Sequence, residues 1–274
     1  MGINLYHDAG TQAPMSDHGR MHARGSDVAG LPAPDPNSAA APSAQHLHPR
    51  VTAYRARRSA LSGGQQAVWE RRWHELGTYA RDADGPAPLL DTEAWFGRSA
   101  PVVLEIGSGT GTSTLAMAQA EPHLDVVAVE VYRRGLAQLL GGIDREGVTN
   151  IRLVRGDGVD VLEHMFAPGS LTGVRVFFPD PWPKARHHKR RLIQPAVVAL
   201  IADRLCVGGV LHAATDHPGY AEQIAEVGDA EPRLRRVTET EALPISVRRP
   251  DTKYETKAHH AGSAVAELLW EKRP

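Results

Sequence analysis

Val102-Val103-Leu104-Glu105-Ile106-Gly107-Ser108-Gly109-Thr110-Gly111 is the stretch that decides the fold of this 274-residue chain. A β-rich apolar run passes directly into three glycines at alternate positions, and helix-period sequence begins at Thr112. Glycines at such a junction let the backbone turn tightly and approach a ligand where a Cβ would collide. Their spacing separates two cofactor classes. A dinucleotide fingerprint requires its third glycine at position 112, which is a threonine here. The carboxylate of Glu105 would repel a pyrophosphate, whereas it suits a ligand with a cationic amino-acid moiety. Glu105, Gly107, Gly109 and Gly111 are therefore candidate cofactor contacts.

Outward from this loop, short apolar runs at 102–106, 126–131, 151–154, 174–178, 210–214 and 264–270 alternate with helix-period segments at 112–120, 133–145, 159–165, 192–205 and 220–227. This rhythm predicts an α/β, Rossmann-like, doubly wound and mostly parallel sheet of seven strands with helices on both faces. Glu130 closes the second run, where a carboxylate can accept both hydroxyl hydrogens of a ribose. Asp157 follows the third, placed to face an adenine amino group.

After the fourth run comes Phe177-Phe178-Pro179-Asp180-Pro181-Trp182-Pro183-Lys184. Prolines fix φ and remove amide donors, so they hold Asp180 rigidly, and Trp182 offers a stacking face. Lys184, Arg186, Lys189, Arg190 and Arg191 then crowd together around His187 and His188, in a chain whose formal net charge is only -1. Such local clustering is an electrostatic footprint for phosphates. Neither His187-His188 nor His259-His260 has metal-ligand spacing, and no metal site is expected. Asp216, after the fifth run, and the late segment Thr252-Lys253-Tyr254-Glu255 fall near the same edge by topology.

The remainder is peripheral. Residues 1–50 are rich in Ala, Pro, Gly, Ser and His with one aromatic, and read as a disordered tail. Residues 51–99 combine a basic stretch, Tyr54-Arg55-Ala56-Arg57-Arg58, a helix with Trp69, Trp73 and Leu76 on one face that ends at Gly77, and a linker-like segment from 80 to 99. Residues 100–274 form the main domain. The single cysteine, Cys206, suits a packed residue in a reducing cytoplasm. No stretch approaches the ~20 apolar residues of a spanning helix, so no membrane contact is expected.

The glycine loop resembles motif I of class I methyltransferases. Phe178-Pro179-Asp180-Pro181-Trp182-Pro183-Lys184 with Arg186-His187 and Lys189-Arg190-Arg191, then Thr215-Asp216, then Thr252 to Glu255, resembles the bacterial tRNA (guanine-N7)-methyltransferase family from about residue 50 to 274. The resemblance implies S-adenosylmethionine as methyl donor, leaving S-adenosylhomocysteine, with Glu105, Glu130, Asp157 and Asp180 at its site. It further implies Asp180 as catalytic acid, and Lys184, Asp216, Thr252, Lys253, Tyr254 and Glu255 at the substrate. Arg186, His187, His188, Lys189, Arg190 and Arg191 would contact RNA, and the acceptor would be a guanine of the tRNA variable loop. Two features depart from the family: Ser59 and Ala60 stand where it has glycine and arginine, and residues 1–50 have no counterpart in its core. A methyltransferase for another RNA and a catalytically silent RNA-binding protein of the same fold are the competing readings; the intact Glu105 and glycine loop disfavour the second. A monomer is favoured over an oligomer.

Overall fold

The computed structural model describes residues 60–250 and 264–274. The chain divides into units 1–49 and 50–274, and the first lies wholly outside the described residues, as does the basic stretch at 54–58.

Helix α1 (Gly63–Leu76) begins at a reciprocal cap: Ser62 Oγ accepts the Gln65 amide and Gln65 Oε1 accepts the Ser62 amide. This satisfies two donors that a helix N-terminus otherwise leaves unpaired. Trp69 and Trp73 stack with centroids 4.0 Å apart, and with Leu76 they bury the helix face against Leu136, Leu140 and Ile143 of α4 (Arg133–Glu146). Burying each indole contributes roughly 1.5–3 kcal/mol. The helix ends at Gly77, its C-cap, as the spacing predicts. That residue is extended and opens a short strand, β1 (Gly77–Tyr79). The expected linker at 80–99 also holds α2 (Thr92–Phe96), capped by Asp91 and packed through Trp95 and Phe96.

Among the described residues the sheet has eight strands, one more than expected. Besides β1 they are β2 (Val102–Ile106), β3 (Asp125–Glu130), β4 (Ile151–Arg155), β5 (Leu171–Phe177), β6 (Leu205–Thr215), β7 (Leu234–Val237) and β8 (Ala266–Lys272). Their order is β1-β4-β3-β2-β5-β6-β8-β7, with β8 antiparallel to both neighbours and the rest of the pairs parallel. Strand β7 carries no apolar signature in the sequence, because Arg235 and Arg236, in its middle, are both exposed on an edge.

Side chains alternate across the sheet. Val126 and Ala128 pack on the α1 and α4 side, while Val127 and Val129 pack with α5 (Gly158–His164), α6 (Pro195–Arg204) and α7 (Pro218–Ala230). Chain order runs outward from β2 through β3 and β4, then resumes on the other side of β2 with β5. A crevice thus opens at the carboxyl ends of β2, β3 and β5, the switch point where doubly wound sheets bind ligands.

Candidate cofactor and RNA site

The glycine loop caps β2 at that switch point and leads into α3 (Thr112–Ala120). Gly107, Gly109 and Gly111 all have positive φ, at 81°, 57° and 76°. Side-chain-bearing residues rarely adopt this conformation. The loop is fixed from behind: the amides of Gly107 and Ser108 donate to the Val129 carbonyl, and the Gly109 amide donates to Glu130. Helix α4 presses on the same loop, since a Cβ on Gly135 would lie 2.1 Å from the Gly109 carbonyl oxygen.

Glu105 is buried at the end of β2. Its Oε1 accepts from Thr114 Oγ1 at 2.8 Å, and its buried Oε2 has no donor among the described residues. Burial raises its pKa, against the opposing pull of Arg175, its cross-strand partner on β5, and the Thr114 hydrogen bond. A ligand ammonium would supply the missing donor and charge, so the residues present fit the methionine end of S-adenosylmethionine. Glu130 accepts three amides, from Gly109, Val131 and Tyr132, at 2.9, 2.7 and 2.9 Å. Burial raises its pKa too; the amides oppose the shift and the charge of Asp180 adds to it. Asp157 caps α5, its Oδ1 accepting the Val159 amide at 2.8 Å.

Asp180 is exposed, in a turn flanked by two non-glycine residues of positive φ, Phe178 at 48° and Trp182 at 42°. Each such residue costs roughly 1–3 kcal/mol, which persists only where the surroundings hold it. Lys184 is exposed and precedes the 3-10 helix Ala185–Arg190. Asp216 is exposed just past β6, beside Thr215, whose Oγ1 accepts the His217 amide. Thr252, Lys253, Tyr254 and Glu255 lie outside the described residues.

The basic run is not uniform. Arg186 and Lys189 are exposed, His187 and His188 are half-buried, and burial together with the surrounding cations lowers the His187 pKa. Arg191 differs from its neighbours: it is buried, and its guanidinium donates to the Pro181 and Gly219 carbonyls and to Gln223. Arg190 is half-buried, its guanidinium 5.0 Å from the centroid of the Trp182 ring.

Several residues went unnoticed in the sequence. Arg175, fully buried, donates to Glu121 at 2.6 Å and to the Ser246 carbonyl at 3.2 Å, and Glu121 in turn accepts the Ser246 amide. His212, opposite Arg175 on β6, pairs through Nε2 with Glu267 at 2.7 Å. Burial, outweighing the Glu267 contact, lowers the His212 pKa; burial raises Glu267, but hydrogen bonds from His212 and Arg249 more than offset that. Both directions describe a neutral imidazole donating to a carboxylate. The signal was present: a charged or titratable residue inside an apolar run, as in Val174-Arg175-Val176 and Leu211-His212-Ala213.

A family model described as "Putative methyltransferase" matches residues 99–268. A tRNA (guanine-N(7)-)-methyltransferase of Mycobacterium sp. strain KMS is 72% identical over 277 residues, covering 95% of this chain and 100% of that protein. One from Mycolicibacterium gilvum strain PYR-GCK is 70% identical over 266 residues, covering 95% of this chain and 100% of its own. One from Mycobacterium bovis strain BCG / Pasteur 1173P2 is 63% identical over 261 residues, covering 94% and 96%. These alignments leave out about a twentieth of this chain, so they take in most of residues 1–50. With a methyltransferase model spanning more than half of its length and full-length relatives of this identity, the chain belongs to the tRNA (guanine-N(7)-)-methyltransferase family.

Proposed function

We propose that this protein methylates N7 of a guanine in the tRNA variable loop, using S-adenosylmethionine, in the cytoplasm. The observation that carries this reading is a juxtaposition at one sheet edge. The crevice lined by the glycine loop, Glu105 and Glu130 lies beside the strained Asp180 turn, and the exposed Arg186 and Lys189 follow within a few residues.

When bound, S-adenosylmethionine supplies an electrophilic methyl group on a sulfonium centre. Glu105 would hold its ammonium, Glu130 its ribose and Asp157 its adenine. Guanine N7 carries a lone pair and no proton, so neither a general base nor a metal is required, and positioning dominates. Asp180 would accept hydrogen bonds from the guanine Watson–Crick edge or offset the positive charge that develops on the ring. Arg186, Lys189 and Lys184 would fix the RNA through phosphates, which position without reading sequence. A silent RNA-binding protein would have no use for a buried carboxylate with an oxygen that no described residue satisfies.

The test is mass spectrometry of nucleosides from unmodified tRNA after incubation with methyl-labelled cofactor. Label in 7-methylguanosine from the variable loop supports the reading; label in any other nucleoside, or none, overturns it.

A further inference from the structure

The strained turn around Asp180 needs something to hold it, and the two last members of the basic run are aimed at it. Arg191 Nε donates to the Pro181 carbonyl at 2.8 Å, directly between Asp180 and Trp182. Its Nη1 reaches the Gly219 carbonyl at 3.1 Å and Gln223 Oε1 at 2.7 Å, both on α7, and its guanidinium lies 4.7 Å from the Tyr220 ring centroid. Gln223 and Tyr220 are fixed in turn: Gln223 Nε2 donates to the Ile193 carbonyl, and the Tyr220 hydroxyl accepts the Ile193 amide. Arg190 covers the Trp182 ring from the next position. Arg191 is buried, and three of the five N–H donors of its guanidinium, on Nε and Nη1, are taken up by these acceptors within the fold.

We propose that Arg191, assisted by Arg190, is a positioning residue for methyl transfer: it ties the Pro179–Trp182 turn to the start of α7 and so holds Asp180 at the cofactor crevice, leaving Arg186 and Lys189 to meet RNA phosphates. The proposal rests on the methyltransferase reading for its kinetic consequences, while the clamp itself is a property of the ligand-free protein.

Lysine keeps the charge of arginine but loses the planar fork, so Arg191→Lys separates a clamp from a phosphate contact. For a clamp, Arg191→Lys lowers kcat at least tenfold, leaves KM for tRNA within about twofold, and leaves the salt dependence of tRNA affinity unchanged. In contrast, Arg186→Ala with Lys189→Ala flattens the log-log salt slope by about 1.5 and raises KM for tRNA. An Arg191→Lys protein with wild-type kcat, or one whose salt slope falls, overturns the proposal. Should position 191 not tolerate lysine, Gln223→Leu removes one acceptor and keeps the charge; a severalfold loss of kcat at constant salt slope supports the clamp, and no loss overturns it. Trp182 emission, taken as the difference between each protein and its Trp182→Phe counterpart, distinguishes the two levels of the argument. Released from the clamp, that emission shifts to the red in ligand-free protein whether or not tRNA proves to be the substrate; an unshifted emission in Arg191→Lys overturns the clamp and says nothing against the enzyme.

Discussion

Glu130 Oε2 accepts the amide hydrogen of Gly109 at 2.9 Å, joining the end of β3 to the middle of the glycine loop, while Oε1 of the same carboxylate takes the amides of Val131 and Tyr132. The side chain proposed to bind a ribose is therefore also the brace of the loop that would cradle the cofactor. Hydrogen bonds to a charged group contribute about 1.5–3 kcal/mol each, and an amide left without its acceptor costs more than the bond alone. Glu130→Ala should consequently lower both cofactor affinity and stability, the latter on the order of 3 kcal/mol. Calorimetric titration and thermal melting measure the two losses; an unchanged melting temperature would show that the brace is not needed.

Glu105 is expected to trade stability for binding. Burial raises its pKa from the usual 4.5, so the unfolded chain releases this proton first as pH rises. Its contribution to stability is full below 4.5 and declines as pH rises through the raised value. Glu105→Gln has no such titration. The variant should gain in melting temperature relative to wild type as pH climbs from 4.5 towards neutrality, while binding S-adenosylmethionine at least tenfold more weakly. A gap in melting temperature that stays constant over this range would remove the assignment.

The same residues mark what the sequence could and could not reveal. Glycine spacing and apolar rhythm are legible in the sequence because each depends on local geometry or on period. Strand β7 was lost because an edge strand with exposed arginines has no apolar signature, and β1 because three residues carry no measurable period. In the basic run, composition shows where charges cluster along the chain, but not that Arg191 turns inward to bond Pro181 while Arg186 remains exposed. The Glu121–Arg175–Ser246 contact joins segments up to 125 residues apart, and no local pattern encodes such a pairing.

Two glycines of α4 make a matched pair. Alanine favours a helix interior by about 1 kcal/mol over glycine. At Gly141 nothing among the described residues lies within 4 Å of an added Cβ, so Gly141→Ala should stabilise by roughly that amount. At Gly135 the added carbon would sit 2.1 Å from the Gly109 carbonyl, and backbone cannot yield as a side chain can. The clash outweighs the propensity, and Gly135→Ala should destabilise by about 1–3 kcal/mol while weakening cofactor binding through the displaced loop. Equal effects at the two positions in chemical denaturation would contradict this.

Asp180 is exposed and set in a strained turn, so its worth lies in chemistry more than in packing. Asp180→Asn preserves shape and should leave the melting temperature near that of wild type. If the carboxylate offsets charge developing on the guanine ring, its loss acts in the transition state, and single-turnover rates at saturating cofactor and tRNA should drop on the order of 100-fold. KM for tRNA should move little, because the phosphate contacts are untouched. A second readout is independent of the reaction. The charge of Asp180 contributes to the raised pKa of Glu130, so the asparagine variant should let Glu130 ionise at lower pH. The acid limb of the pH dependence of cofactor affinity should then shift downward. A variant that raises KM with kcat intact would make Asp180 a binding residue, and an unmoved acid limb would mean that the two carboxylates do not share one site.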